Sequence, residues 1–538
     1  MTVLKRMSSG CLVLLLCSQV CAAISVVPQP AELELMDENG MFKFTPETVI
    51  VARGEAEGEA KKLVRVLAPA MGFELKTAKT PGKGSVVLLE LDAALEESLG
   101  KEGYRLRAGP ELISISAAQR AGLFYGIQTL RQLLPPAIYG SRKAEGEDWS
   151  VPCLKITDYP RFGWRGLLID PARHFIPVKD FKHYVDAMAV HKLNRLQIHL
   201  TDNEGWRIEI KRYPKLTTVG SKSDRSGRGP GHGGFYSQSD MRDIVRYALD
   251  RHITIIPEIE MPAHTGAASY AYPEELALKP KRNGHVLAPR PAAVTFMQNV
   301  LTEIMDIFPS RHIHIGGDEA NTGVWKSNEE MQEQMRRMGH ANVHELHSWF
   351  IRQMDTFLTE KGRRLVGWDE ILQGGLASGA TVMSWRGTSG GIAAAKAGHD
   401  VVMAPTSHTY FDYRQAPKEL GLGRSVIDVQ KVYAFEPIPA DLNADEARHV
   451  LGGQGQLWGE LIKDRERREF MTYPRACALA EVLWSPKDAR DFNGFLPRLN
   501  VNLKRLRASN VNYRRLDDLL IVGTRDSEVE EFDYFENN

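Results

Sequence analysis

Cysteine is scarce in this sequence: five in 538 residues, with Cys11, Cys17 and Cys21 crowded near the start. Only Cys153 and Cys477 stand beyond them, and two such distant cysteines make no disulfide framework. A buried core must therefore hold the fold. Excess charge of either sign is also lacking. Lys plus Arg and Asp plus Glu each number 68, which gives no reason to expect a nucleic-acid partner or an anionic membrane surface. No membrane span is expected either, because the leading apolar run, Cys11 to Val20, is too short to cross a bilayer.

Hydrophobic residues make up 43% and charged residues 25%. These are near globular averages, so a large core is expected and general disorder is not. The length suits two or three domains. Residues 1–23 are expected to be a signal peptide. Lys5 and Arg6 give it a positive start, and Cys21-Ala22-Ala23 offers small residues for cleavage after Ala23. Leu16 before Cys17 and Val20 before Cys21 stand where a lipoprotein anchor would have a small residue. The expected location is secreted or periplasmic.

Residues 24–155 predict a small α/β domain. Thr48–Ala52 and Val86–Leu91 are apolar, β-branched runs, and Leu63, Val66, Leu67 and Ala70 repeat between them at helical spacing. Tyr104–Leu106 and Leu112–Ile115 flank the turn Gly109-Pro110 as two further strands. A helix from Ala117 to Leu134 is stopped by Pro135. Tyr139 to Trp149, charged and glycine-containing, is the expected linker. A barrel over 156–510 and a C-terminal tail over 511–538 complete the division.

From Arg161 onward, short apolar strands alternate with helical stretches. The expected strands are Gly166–Asp170, Leu196–Asp202, Thr254–Glu260, His312–Asp318, Arg364–Trp368, Thr381–Trp385, Asp400–Ala404 and Val450–Trp458. Phe181, Val185 and Met188 mark one intervening amphipathic helix, and Met241, Ile244, Val245 and Ala248 another. No glycine-rich phosphate turn follows the first strand, as an open doubly wound sheet would show. The fold class is therefore α/β: a (β/α)8 TIM barrel preceded by a small α+β domain.

Active sites of such barrels lie at the C-terminal strand ends. Here those ends carry Asp170, Arg173, Asp202, Glu260, His264, Asp318, Glu319, Trp368, Trp385, Tyr410, Asp412, Trp458 and Glu460. Aromatic faces stack on sugar C–H faces while carboxylates and arginine grip hydroxyls. The lining suggests a sugar site.

The run His312-Ile-His-Ile-Gly-Gly-Asp-Glu319 resembles the catalytic signature of the family-20 β-N-acetylhexosaminidases. Around it, Asp158-Tyr-Pro-Arg-Phe162, Trp164-Arg-Gly166, Arg173-His-Phe175, Lys192-Leu-Asn194, His199-Leu-Thr-Asp202 and Gly205-Trp-Arg207 match that family in order. Pro257-Glu-Ile-Glu-Met-Pro-Ala-His264, Gly367-Trp-Asp-Glu370 and Leu457-Trp-Gly-Glu460 continue the match. The resemblance spans roughly Val26 to Ser485. It implies an exo-acting, retaining enzyme without a cofactor, whose partners are glycans ending in β-linked GlcNAc or GalNAc.

In such an enzyme the substrate's 2-acetamido oxygen attacks C1, the family being an exception to the two-carboxylate scheme. The resemblance makes Glu319 the general acid and base, with Asp318 holding the acetamido N–H and Tyr410 its oxygen. Trp368, Trp385 and Trp458 wall the subsite; Arg173, Asp202 and Glu460 bind the 3- and 4-hydroxyls, and His264 supports the acid. Asp412 binds the 6-hydroxyl, where its charge would oppose a 6-sulfate. One departure stands out. Where the family has Asp-x-Pro-Gly-His, this chain has Glu260-Met-Pro-Ala-His264, and the longer acid and the Cβ of Ala263 are placed to shift His264.

His312 and His314 share a strand face as a metal pair would, but no further ligands stand at suitable strand ends. Trp164, Trp206, Trp349 and Trp484 read as packing residues, and Glu370 and Glu481 as structural salt-bridge partners. A disaccharide-releasing family member, a metal-dependent barrel hydrolase and a non-catalytic sugar-binding barrel are the alternatives to an exo-hexosaminidase.

Overall fold

The computed structural model describes residues 24–36, 40–82, 84–222, 233–278, 285–423 and 425–516. The expected signal peptide, most of the glycine-rich loop Ser221 to Gly234 and the tail from residue 517 lie outside the described residues. The chain divides into two compact units. Of the described residues, the first comprises those up to Arg165, Val185–Leu193 and Ala480–Val511; the second holds Gly166–Tyr184, those of 194–479 and residues 512–516.

In the first unit, seven strands form one sheet. Their spatial order is Glu32–Leu35, Leu154–Asp158, Tyr104–Ala108, Leu112–Ala117, Val86–Leu91, Val49–Ala52 and Lys76–Ala78. The pairings are antiparallel as far as Leu112–Ala117 and parallel beyond it. Helices Ala56–Met71 and Arg120–Leu133 pack on this sheet and on each other. Leu63, Leu67 and Ala70 bury the inner stripe of the first helix, which Gly72 ends at φ +73°. Tyr139–Trp149, the expected linker, lies inside this unit, because Leu154–Asp158 returns to pair with Tyr104–Ala108.

Asp158 is the polar hub of that unit. Its Oδ2 accepts from Lys192 Nζ at 2.7 Å and from the Tyr104 hydroxyl at 2.6 Å. Its Oδ1 accepts from Trp484 Nε1 at 2.8 Å and from Ala31 N at 3.0 Å. Four distant stretches of chain meet on one buried carboxylate.

The second unit carries the barrel. Its strands are β1 (Trp164–Ile169), β2 (Arg195–His199), β3 (Thr254–Glu258), β4 (His312–His314), β5 (Arg364–Trp368), β6 (Thr381–Ser384), β7 (Val401–Met403) and β8 (Val450–Leu457), closed in that order. Each neighbouring pair with a recorded register is parallel. Alternation turns Gln197, His199, Glu258, Gln454 and Gln456 inward. Gln197 Nε2 donates to Glu258 Oε2 at 2.7 Å, and Gln454 Nε2 to Gln197 Oε1 at 2.6 Å. The barrel floor is thus a satisfied polar network, rigid enough to carry a site above it.

All eight expected strands are present, but several end early. Asp202, Glu260 and Asp318 were expected to close β2, β3 and β4, yet they stand in the loops that follow. Gly316 and Gly317 take positive φ, which turns the chain away from β4 before it reaches Asp318. Cys153 and Cys477 are both buried and form no disulfide. Trp164, Trp206 and Trp484 are buried, and Trp349 packs against the cluster around Trp325. Glu481 pairs with Arg498 at 2.7 Å. Among the described residues, no helix is long and apolar enough to cross a membrane.

Candidate active site

The loop after β4 places the two central carboxylates. Gly316 (φ +71°) and Gly317 (φ +92°) bend the chain sharply, in a region that glycine enters without a steric penalty. A Cβ on Gly316 would also lie 1.8 Å from Glu260 Oε2, so the Glu260 carboxyl would have to move. Beyond the bend the two neighbours part. Asp318 is 8% exposed, whereas the Glu319 side chain is 58% exposed. Glu319 itself adopts φ +47°, an uncommon conformation for a side-chain-bearing residue that clusters at functional sites.

His264 (φ +51°) sits between them and the next wall. Its Nε2 lies 3.5 Å from Asp318 Oδ2 and 3.4 Å from Glu319 Oε2, and its Nδ1 lies 3.2 Å from Asp202 Oδ1. Burial opposes a charge on the ring, but Asp202 and then Asp318 raise its pKa well above the ordinary histidine value. His264 makes these contacts with Glu260 and Ala263 standing before it in the loop. Glu260 reaches inward instead, its Oε1 lying 3.2 Å from His199 Nε2, into the room that Gly316 leaves. Burial, reinforced by Asp318, keeps its carboxyl well above the usual range.

Arg173 anchors the opposite wall. Its Nη2 lies 2.7 Å from Asp202 Oδ2 and 3.9 Å from Glu460 Oε1, and its Nη1 lies 3.1 Å from Asp170 Oδ2. The guanidinium also rests 5.1 Å from the Trp458 ring centre. Burial works against the ionisation of Asp202, but Arg173 and then His264 hold its pKa below the usual carboxylate range. Glu204, which the sequence reading passed over, lies 3.7 Å from Arg173 Nε. Burial and then Asp202 push it up to about 7. Its only sequence signal was an extra acid in the turn after β2.

The aromatic residues close the remaining sides. Trp368 is buried and donates through Nε1 to Glu258 Oε1 at 2.9 Å, and its ring centre lies 5.7 Å from that of Trp458. Trp385 stacks near Tyr410, centroid to centroid 6.2 Å, and donates through Nε1 to Glu370 Oε2 at 3.0 Å. Tyr410 and Trp458 are hydrogen-bonded, and burial followed by Asp412 lifts the tyrosine pKa well above its usual value. Asp412 is buried; burial, then Glu460, raises its pKa well above that of an ordinary aspartate.

Every predicted site residue is thus linked to another by contact or charge. Asp318 Oδ1, Asp412 Oδ1 and Glu460 Oε2 are buried without a hydrogen-bond partner in the protein. A buried acceptor left unpaired costs about 1–3 kcal/mol, so a ligand rich in N–H and O–H groups gains by supplying donors.

Two groups bring ligand-type atoms within 4.8 Å of one another: His199, Glu258 and Glu260; and His264, Asp318 and Glu319. Both are woven into hydrogen bonds. His199 meets Asp170 at 3.1 Å as well as Glu260, and His264 meets Asp202 at 3.2 Å as well as Asp318 and Glu319. His312 belongs to neither group, and His314 turns to Glu258 at 2.9 Å.

A closed parallel barrel with carboxylates and aromatic rings at its strand ends is the architecture of a glycoside-cleaving enzyme. Residues 162–487 match the glycosyl hydrolase family 20 catalytic domain, and residues 23–159 match domain 2 of that family. The chain belongs to glycosyl hydrolase family 20. It is 40% identical over 509 residues to a β-hexosaminidase of Porphyromonas gingivalis, covering 91% of this chain and 64% of the relative. This chain therefore spans less than two thirds of that protein's length. A β-hexosaminidase of Akkermansia muciniphila is 34% identical, with 78% and 88% covered. Among solved structures, an exo-β-N-acetylglucosaminidase of Vibrio harveyi bound to N-acetylglucosamine superposes with TM-score 0.83 at 32% identity, covering 92% of this chain and 78% of that one. A β-N-acetylhexosaminidase of Streptomyces coelicolor gives TM-score 0.81 at 31% identity, with 92% and 98% covered.

Proposed function

We propose that this chain is an exo-acting, retaining β-N-acetylhexosaminidase that removes terminal GlcNAc or GalNAc with the substrate's own acetamido group as nucleophile. One observation carries the proposal: Asp318 and Glu319 are neighbours, one buried with an unpartnered oxygen and the other exposed. A paired-carboxylate mechanism wants two separated acids. A split pair suits two different jobs at one anomeric centre.

In this scheme the acetamido oxygen attacks C1 while Glu319 protonates the departing glycosidic oxygen. Asp318 accepts the acetamido N–H and offsets the positive charge of the oxazolinium ring. Tyr410 donates to the acetamido oxygen. Glu319, now a carboxylate, takes a proton from the water that opens the ring, and the two inversions at C1 give retention. Arg173, Asp202 and Glu460 hold the 3- and 4-hydroxyls, closing the pocket behind one sugar. The Vibrio harveyi relative is named as exo-acting and holds N-acetylglucosamine, which agrees with this direction of action. The leader over residues 1–23 supports export to a periplasm or beyond.

The test is hydrolysis of matched chromogenic β-GlcNAc, β-GalNAc, β-glucoside and β-disaccharide substrates, with and without a strong chelator. Cleavage of the N-acetyl sugars, an inert glucoside and indifference to the chelator are expected. Release of an intact disaccharide would overturn the exo reading, and loss of activity with the chelator would favour a metal-dependent hydrolase. A thiazoline mimic of the cyclised intermediate should bind far more tightly than substrate.

A further inference from the structure

Glu370 reads from sequence as a structural salt-bridge partner; it does pair with Arg386, and it also meets a wall of the site. Trp368 ends β5, and a single turn, Asp369–Leu372, follows. The two acids of that turn diverge. Asp369 Oδ1 accepts from Arg386 Nε at 2.7 Å. Glu370 is buried and Oε2 accepts the Trp385 indole N–H, while its Oε1 lies 3.5 Å from Arg386 Nε. The same turn is packed against the bend that carries Asp318. A Cβ on Gly317 would come 2.6 Å from Ile371 Cγ2, and Trp368 N donates to Gly316 O at 2.9 Å.

We propose that Glu370 is a positioning residue for the hydrolysis: it fixes the Trp385 indole against Tyr410, so that the wall around the acetamido group is set before substrate arrives. This rests on the proposed substrate-assisted reaction. The physical reason is directional. Trp385 is only half-buried, so its ring has room to turn, and its one polar atom has a single acceptor to hold it. An intramolecular attack depends on the nucleophile being held in line with C1, and a loose wall forfeits that alignment. Burial pushes the Glu370 carboxyl up to about 7, the Trp385 hydrogen bond opposes this, and Asp318 and Asp369 reinforce it with Arg386 opposing.

Three variants of the full chain test this: E370M, which keeps the length but removes the acceptor; E370Q, which keeps an acceptor oxygen; and W385F, which removes the donor. With a β-GlcNAc substrate, E370M should lose kcat by about ten- to hundredfold, the scale of a misplaced reacting group, with KM little changed. E370Q should recover most of that loss. The double variant E370M/W385F should be no slower than W385F alone, since Glu370 acts through Trp385. Thiazoline inhibition should weaken in step with kcat. Additive losses in the double variant, or E370M with wild-type kcat, would overturn the inference. A melting curve separates a global folding defect, because E370Q and W385F remain informative if E370M fails to fold. An inert wild type points instead to failure of the proposed function.

Discussion

Asp318 and Glu319 share a peptide bond and a neighbour in His264, but not an environment. One is buried beside His264, the other exposed at a left-handed φ, and chemistry at this scale comes from surroundings more than from residue type. Glu319→Gln removes the proton the leaving group needs. Its kcat on natural glycans should fall by about two to four powers of ten, and by less on aryl glycosides with good leaving groups. Near-normal turnover on natural glycans would sink the assignment.

Asp412 allows a sharper test, because burial and Glu460 raise its pKa. At low pH the carboxyl is neutral and tolerates a neighbouring anion, and as pH rises through the raised pKa it becomes charged. Two like charges about 4 Å apart at an effective dielectric of about 20 repel by about 4 kcal/mol, which solvent and side-chain movement reduce. The preference for unsulfated over 6-sulfated GlcNAc should therefore grow by about tenfold or more with rising pH. Asp412→Asn should flatten the trend in kcat/KM ratios. A ratio independent of pH in the wild type would place Asp412 away from the 6-position.

At the scale of elements, the strands were legible and the loops that finish them were not. Apolar periodicity reveals β2 to β4, but it carries no information on where a ladder stops. Gly316 shows what decides that. Its φ of +71° and the 1.8 Å approach of a hypothetical Cβ to Glu260 Oε2 make it a joint between β3 and β4. Gly316→Ala should cost about 1–3 kcal/mol for the backbone alone and lower kcat by moving Asp318. Adding Glu260→Asp, which shortens the opposing acid, should restore part of both losses. Melting temperature and kcat of the single and double variants check this. If the second change restores nothing, the contact is not the cause.

Across the whole molecule, the first unit is drawn together at Asp158, which takes hydrogen bonds from Ala31, Tyr104, Lys192 and Trp484. Removing one partner of a buried ion pair typically costs about 3–5 kcal/mol. Asp158→Ala should therefore destabilise the protein by that order in denaturant melts, with Asp158→Asn milder. Equal midpoints for variant and wild type would show that the hub contributes little. This hub was hidden in a motif, Asp158-Tyr-Pro-Arg-Phe162, whose family resemblance says nothing of which residues converge on it.

The sequence alone determined the fold class and the family, because apolar periodicity and ordered motifs are local properties that survive without coordinates. It also marked Asp318, Glu319 and the carboxylate and aromatic strand ends. It missed Glu32–Leu35 and Lys76–Ala78, strands of four and three residues with largely exposed side chains, too short for a period to be told from chance. Only the tertiary structure decided that Glu260 fills the space above Gly316, that Glu204 leans on Arg173, and that Glu370 accepts the Trp385 indole N–H. Each depends on side chains from different strand ends meeting in three dimensions. Burial, the distance between charges and the direction of a hydrogen bond come into being only when the barrel closes.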